Sequence, residues 1–574
     1  RAHDVRRPQG AAAADADPTI LPPRVQAVIV ERLAQLSPTA RKVVQVGAVI
    51  GRAFALELLL LTAHEDEETV IHALDELWQR RIVHEQAANL FDFTHDKLRE
   101  VAYAETSVPQ RRLLHRRTAQ ALEQLNAARL DPISAQVAAH YEQAGLVEQA
   151  IPYYQHAGSV AAGVYANDSA IELFTRGLAL LAQLPPGTLR DAQELNLQLA
   201  LAPLYRITKG WASLEVEQCL NRALILSNTV GNASHRVQAL YGLQSLNVVA
   251  ARLEKVQYPY PEMDKLFRQI QDNPPPFAGL MYTGAKLHMG RLVEAREQFE
   301  RIVAERDSRH IRDLQESQGV NYLVLGCAWN SHALWCLGYA DSAHASARNA
   351  IALARELEQP FNHALAVTYG ATLQAWSANA ETFFAHAQDA YTLTREYQVT
   401  YYHAWASILF HFAQVWRQPD AEGLTQLRST IHRFMKMGSR LRLPLYFSLL
   451  ARACFKAKRP DEGLEALELA LAESLQNNEH WWDAEIHRLR GELMGAQGAD
   501  PGDIEAAFQR ACEIARTQQA RSLELRAATS LARFWQATSR QAEAKQQLSQ
   551  LYAWFTEGMA TPDLQAARAL LAQL

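Results

Sequence analysis

The chain has 574 residues, 48% of them hydrophobic and 21% charged, with a net charge of −5. That length exceeds what one globular core organises, so it demands several domains or an elongated repeat array. The mild acidity gives no global attraction to nucleic acid, and the longest apolar run, 53–62, is interrupted by Glu57 and too short to span a bilayer. Neither nucleic acid nor a membrane is expected as a direct partner.

Residues 1–22 are basic, then Ala/Asp-rich, and read as a linker. The chain opens at Arg1 without the charged-then-apolar pattern of a secretory signal, and it is expected to be part of a longer polypeptide. Amphipathic spacing predicts a helix over 24–36, and Ser37-Pro38 offers an N-cap and a first-turn proline to a second helix ending at Val49. A short helix is expected near 56–61, then a strongly patterned one over 68–80 with Val70, Ile71, Leu74, Leu77 and Trp78 on one side.

The period then changes from 3.6 to 2. Ile82-Val83-His84 and Leu90-Phe91-Asp92-Phe93 alternate around Ala87-Ala88-Asn89 and predict a β-hairpin. Helices followed by a hairpin give the winged-helix order, expected over 23–128. Its candidate recognition helix, 68–80, is preceded by Glu65-Asp66-Glu67 and carries Asp75 and Glu76, which repel phosphates, so DNA binding by this module is not expected. Helical spacing returns over 96–106 and 109–125.

Beyond it the chain repeats itself roughly every 40 residues. A triad of small and apolar residues recurs at i, i+4, i+7: Ala343/Ala347/Ala350, Phe383/Ala387/Ala390, Gly423/Leu427/Thr430, Gly463/Leu467/Ala470, Ile504/Phe508/Ala511 and Ala544/Leu548/Leu551. Earlier, less regular examples are Ala150/Tyr154/Ala157, Ala170/Phe174/Gly177 and Ala295/Phe299/Ile302. The spacing puts each triad on one helix face, where small side chains admit a neighbouring helix, so each marks the second helix of a pair. A lone pair cannot bury that face. The expected fold is therefore all-α: a winged-helix domain with a small β-hairpin, followed by an α-α superhelical, tetratricopeptide-like solenoid whose usual product is an extended recognition surface. Irregular pairs are expected over 129–257, a Pro-rich break and hinge over 258–276, regular repeats over 277–560 and a capping helix over 561–574.

Catalytic signatures are missing. Gly158 and Gly163 have the glycine spacing of a phosphate loop, but Val164-Tyr165 stand where Lys and Ser/Thr are required, and no HExxH, GxSxG or GxGxxG occurs. His403/His411 and His480/His487 fall near helical spacing but lack a third ligand, so no metal site is expected. Trp329/Trp335, Trp405/Trp416, Trp481-Trp482 and Trp535/Trp554 read as packing between repeats. Cys219, Cys327, Cys336, Cys454 and Cys512 have no CxxC spacing and read as buried thiols of a reducing, cytoplasmic compartment.

The run from Phe91-Asp92-Phe93-Thr94-His95-Asp96-Lys97-Leu98 to Arg99-Glu100-Val101-Ala102-Tyr103, followed by Arg111-Arg112-Leu113-Leu114-His115, resembles the winged-helix region behind the ATPase core of signal-transducing (STAND) P-loop ATPases. Leu21-Pro22-Pro23-Arg24-Val25 and Leu36-Ser37-Pro38-Thr39-Ala40-Arg41 match the same family's entry into that domain. Trp481-Trp482-Asp483-Ala484-Glu485-Ile486-His487, Ser522-Leu523-Glu524-Leu525-Arg526 and Thr561-Pro562-Asp563-Leu564 are similar to the tetratricopeptide-like tails of bacterial multidomain proteins, in which a class III adenylate/guanylate cyclase or a transcriptional-activator domain precedes the ATPase. The resemblance implies a non-catalytic regulatory and sensing region. Its partners would be an upstream ATPase domain in the same polypeptide and a protein or small effector on the solenoid; ATP/ADP would belong to that upstream domain, with no cofactor in this chain. The alternatives are the same module in a transcriptional activator with an upstream DNA-binding domain, or a free-standing adaptor. In related ATPases a His-Asp pair at the end of the hairpin brings histidine to the phosphates of ADP. His95-Asp96 stands at the matching place, where His95 alternatively caps the helix starting at Asp96.

Overall fold

The computed structural model describes residues 23–230, 233–257, 260–270, 279–304 and 320–574. The linker 1–22 lies outside them, and of the Pro-rich break only the helix Tyr260–Ile270 is described. The chain forms two compact units, Arg1–Pro185 and Pro186–Leu574.

The first unit begins with α1 (Pro23–Ala34), α2 (Pro38–Ile50), β1 (Ala53–Ala55), α3 (Leu56–Ala63), α4 (Glu67–Gln79), β2 (Val83–Ala87) and β3 (Leu90–Phe93). Ser37 Oγ accepts from Ala40 N and Pro38 opens α2, as the sequence predicts; Asp66 caps α4 by accepting from Thr69 N. The sheet has three strands, not the two of a bare hairpin, in the order β1-β3-β2. β1 pairs antiparallel with β3, Phe54 opposite Phe91, and is too short to show alternation in sequence. What fixes it is Phe54, 2% exposed, whose ring lies 5.8 Å from that of Phe93. Gly47 of α2 makes this possible, because a Cβ there would lie 2.8 Å from Phe54 Cε1.

On α4, Val70, Leu74 and Leu77 are buried, but Ile71 and Trp78 are exposed, contrary to the single apolar side expected. Each sits one residue beyond a buried position, about 100° further round the helix, which carries it off the core. The unit continues with α5 (Asp96–Glu105), α6 (Val108–Leu125), α7 (Ser134–Gln143), α8 (Val147–Gly163) and α9 (Asn167–Leu181). A buried polar chain ties three of these together: Tyr103 OH on α5 meets His115 Nε2 on α6 at 2.9 Å, and His115 Nδ1 meets His140 Nδ1 on α7 at 2.9 Å.

The second unit is a stack of helix pairs. Its outer helices carry the triads on their buried faces: Ala343, Ala347 and Ala350, then Phe383, Ala387 and Ala390, then Leu427 and Thr430, then Gly463, Leu467 and Ala470. The inner helices are different. In Tyr322–Leu337 every residue but Leu323 is buried, and Pro360–Ser377 and Leu443–Lys456 are buried nearly all round. A helix with no solvent face must have protein on all sides, and here successive turns of the superhelix supply it. Ser522 Oγ donates to Trp335 O at 2.6 Å, 187 residues away in sequence. Trp481 N donates to His288 O at 3.1 Å, Arg440 N and Leu441 N both to Val249 O at 3.0 Å, and Ser342 N and Oγ to the Glu557 carboxylate at 3.0 Å.

The axis of this unit is accordingly a core and not the open concave groove a loose solenoid presents. Trp335, Trp376, Trp481 and Trp482 fill it, with ring centroids 5.0 to 6.1 Å apart. One hydrophobic cluster runs from Trp211 to Leu523, on both sides of the Pro-rich break. Leu564, Ala567 and Leu570 of the terminal helix Pro562–Leu571 pack into a second. Among the described residues no helix is long and apolar enough to cross a membrane.

Candidate functional site

His95 occupies the N-cap position of α5 in extended backbone (φ −144°, ψ 136°) and is exposed. Among the described residues its imidazole makes no capping hydrogen bond. Asp96 is exposed beside it, with its carboxylate 3.4 Å from Arg52 Nη1, and Arg52 Nε in turn lies 3.6 Å from Asp92. The end of the hairpin thus presents an imidazole to solvent over a carboxylate pair steadied by Arg52.

Three of the other histidines read from sequence spacing make local structural contacts. His403 Nδ1 meets Thr394 Oγ1, His411 Nδ1 donates to Ser407 O at 2.7 Å, and His480 pairs with Asp483 at 2.8 Å. No group of three His, Cys, Asp or Glu side chains that could hold a metal occurs among the described residues. The five cysteines are buried free thiols. Trp329, Trp335, Trp405, Trp481, Trp482 and Trp535 are buried as packing.

What sequence spacing did not expose is a buried cavity of about 30 Å³ inside the second unit. Its polar wall comes from six helices and turns: Arg206 near the end of Thr188–Thr208, Trp211 from the following turn, Tyr241 from Ala233–Val249, Trp329, Tyr369 and Tyr401. The apolar wall is Val248, Val249, Met281, Val320, Leu325 and Leu441. Two glycines shape it. A Cβ on Gly242 would lie 2.7 Å from Arg206 Nη2, and one on Gly284 would lie 2.6 Å from Trp329 Cη2, so both large side chains press flat against a bare helix backbone.

The electrostatics are one-sided. Arg206 is 4% exposed, its guanidinium 5.1 Å over the Trp211 ring; burial lowers it to about 10, opposed by the Tyr322 and Tyr241 hydroxyls. Behind the wall lies Arg442, fully buried, 4.1 Å over Trp405 and 4.9 Å over Tyr369, with Nη2 donating to Tyr369 OH at 2.7 Å. Its backbone N–H donates to both oxygens of Glu479 at 2.9 and 3.0 Å, and burial pushes that carboxyl up to about 8. None of the described residues lining the cavity is acidic. The Tyr241 hydroxyl meets that of Tyr322, and the Trp329 indole meets the Tyr369 hydroxyl. The only sequence signal for such a site is a lone arginine set in an apolar stretch, Leu204-Tyr205-Arg206-Ile207 and Leu441-Arg442-Leu443.

No family model matches the chain. It is 23% identical over 519 residues to an uncharacterised protein of Rhizobium meliloti (strain 1021); the match covers 88% of this chain and 50% of that protein, so the chain spans half the length of the curated relative it matches. Among solved structures it is similar to a STAND protein with a tetratricopeptide repeat sensor from Pyrococcus horikoshii, at 11% identity and a TM-score of 0.33 over 74% of this chain and 66% of that one. It is also similar to the APC/C hetero-tetramer Cut9-Hcn1, at 11% identity and a TM-score of 0.45 over 90% and 91% of the two chains. A third is yeast Tom70, at 13% identity and a TM-score of 0.30 over 79% and 96%.

Proposed function

We propose that this chain is the non-catalytic regulatory and sensing region of a cytoplasmic signal-transducing ATPase linked to a nucleotidyl cyclase, with an effector bound by the helical repeats and the winged helix as relay. The observation that carries this reading is the solvent-facing His95 at the end of the hairpin, within a sequence run that resembles the STAND winged helix. An exposed imidazole with no structural hydrogen bond is free to donate to a phosphate oxygen of ADP on an upstream domain, and the phosphate charge favours its protonated form. Asp92 and Asp96, held by Arg52, orient the turn that carries it.

An effector shifts such a system only by binding the open and closed states unequally, so the repeats act as a sensor to the extent that their occupied form disfavours the ADP-bound state. The test is ADP release from the full-length polypeptide. His95→Ala is expected to speed release and raise basal activity, while leaving thermal melting unchanged because the side chain is exposed. Release at the wild-type rate would remove the sensor role.

A further inference from the structure

We propose that α4 and α6 of the first unit are the two halves of a head-to-tail contact between copies of this chain, in which the acidic, Trp78-bearing face of α4 seats on the Arg112/Arg116 face of α6. The proposal stands apart from the sensing reading above.

On α4, Glu68, Ile71, Asp75 and Trp78 are all exposed and lie within about 80° of one another around the helix. Trp78 is 61% exposed and forms, with Ile71, an apolar ridge whose burial is favourable. Asp75 has no ion pair among the described residues, and Glu68 meets only His72 Nε2, at 3.9 Å. The face is therefore apolar, acidic and without cationic partners of its own.

The solvent face of α6 is its complement. Val108 is 51% exposed, Arg112 and Arg116 are exposed, and the three again lie within about 80°. Neither arginine makes an ion pair or a hydrogen bond among the described residues, whereas Arg52, Arg80 and Arg176 of the same unit are paired with carboxylates. α2 packs against both helices, and both faces are turned to solvent, so neither covers the other within one chain.

Spacing decides the register. Asp75 and Glu68 stand about 4.5 and 15 Å along the axis from Trp78, and Arg112 and Arg116 about 6 and 12 Å from Val108. Laid antiparallel with Trp78 on Val108, the two helices bring Asp75 opposite Arg112 to within about 1.5 Å and Glu68 opposite Arg116 to within about 3 Å, offsets that a flexible side chain absorbs. A nucleic acid or an anionic membrane would answer the arginines but leave the α4 face bare; a second copy answers both. Because the faces differ, each added copy leaves one of each free, and assembly continues beyond a dimer. One helix laid on another is a small contact, so it belongs with weak, transient interfaces and gains weight where copies are held close together.

The experiment is sedimentation velocity of this chain over a concentration series. Self-association with a dissociation constant on the order of 100 μM is expected in about 50 mM salt, weakened about tenfold in about 500 mM. R112E/R116E and E68R/D75R are each expected to abolish it, and an equimolar mixture of the two to restore it, because each then offers the other opposite charge at both faces. Trp78→Ala is expected to weaken it about tenfold. All five positions are exposed, and circular dichroism checks that each variant keeps its fold. A wild-type chain monomeric to about 300 μM, association that survives either charge reversal, or a mixture that stays monomeric would overturn the assignment. So would binding of DNA or anionic vesicles by the monomeric chain that is lost in R112E/R116E, which would give the α6 face to a polyanion.

Discussion

Ser522 Oγ donates to the main-chain oxygen of Trp335 at 2.6 Å, joining residues 187 positions apart. One helical turn further along the same helix, Arg526 donates to Trp376 O and holds its guanidinium 4.9 Å over the Trp335 ring. Both acceptors lie at the C-terminal ends of inner helices, Tyr322–Leu337 and Pro360–Ser377, where the helix dipole is negative; Trp335 O also accepts from the C-cap Gly338 N at 3.0 Å. The later turn of the superhelix thus caps helices of the earlier one. In a simple linear array each repeat touches only its neighbours; here the stack closes on itself.

Removing the first of these caps should weaken the closed turn measurably. Ser522→Ala is expected to cost about 1 kcal/mol, and Arg526→Met more, because Arg526 also pairs with Asp563 at 2.9 Å. Urea denaturation reads both as a lowered midpoint. Wild-type midpoints in both variants would mean that contact between turns does not contribute to stability.

Glu485 makes a second test of the same region. Its carboxylate, 1% exposed, takes Arg488 Nε and Nη2 at 2.8 Å each and lies 3.6 Å from Arg526 Nη1. Although burial alone would raise it, the surrounding guanidiniums of Arg488, Arg526 and Arg452 hold it down at about 2. Glu485→Gln would remove the one fully buried counter-charge of the cluster, leaving Arg488 to Glu492 and Arg526 to Asp563, at about 3 kcal/mol. Because the folded value lies below the unfolded one, this stabilisation is fully present above about pH 4.5 and fades as pH falls toward 2. Thermal melting of wild type and variant should therefore differ most near neutrality and converge in acid.

Much of this architecture was legible in residue spacing, and what was not has a physical reason. Outer helices have one buried face, so Phe383, Ala387 and Ala390 declare themselves by period. Inner helices such as Leu443–Lys456 have no polar face, so periodicity says that they are buried but not by what; the closing contacts come from residues far away in sequence. β1 is three residues long and hides in an apolar run. The cavity is assembled from eight separate segments, and nothing within any one of them shows that they converge. His95, by contrast, was visible through a motif, and the structure adds that its side chain faces solvent.

The Tyr103–His115–His140 chain predicts acid sensitivity in the first unit. Neutral rings satisfy every contact: Tyr103 O–H donates to His115 Nε2, and His115 Nδ1–H donates to the lone pair of His140 Nδ1. A proton on both rings would set two N–H groups against each other at 2.9 Å. Burial lowers both histidines to about 4, with Arg111, stacked 5.0 Å over Tyr103, adding to the effect at His115. The unfolded chain takes up its protons near pH 6.5, so stability from these groups is present above that value and declines as pH falls from 6.5 to 4. His140→Gln is expected to lower stability at pH 7.5 and to flatten the decline, as read by melting temperature across that range.

Leu467 and Leu469 give the sharpest check on the repeat itself. They stand two residues apart on the helix Pro460–Asn477, about 200° round its axis, and are 1% and 53% exposed. Leu467 is the middle of its triad, where Gly463 lies so close to Leu493 of the next inner helix that a Cβ would come within 2.9 Å of Leu493 Cδ2. Leu467→Asp removes a packed side chain and buries a charge in its place, an expected loss of about 4 kcal/mol or more. Leu469→Asp should stay within about 0.5 kcal/mol of wild type. Hydrogen exchange would show where the first loss goes: in a stack closed between turns, protection should fall in Leu443–Lys456 and Asp483–Gln497, and also at Arg521–Ala537, whose Ser522 caps a helix of the previous turn. Loss confined to the two adjacent helices would instead describe a linear array, in which the Ser522–Trp335 contact couples nothing.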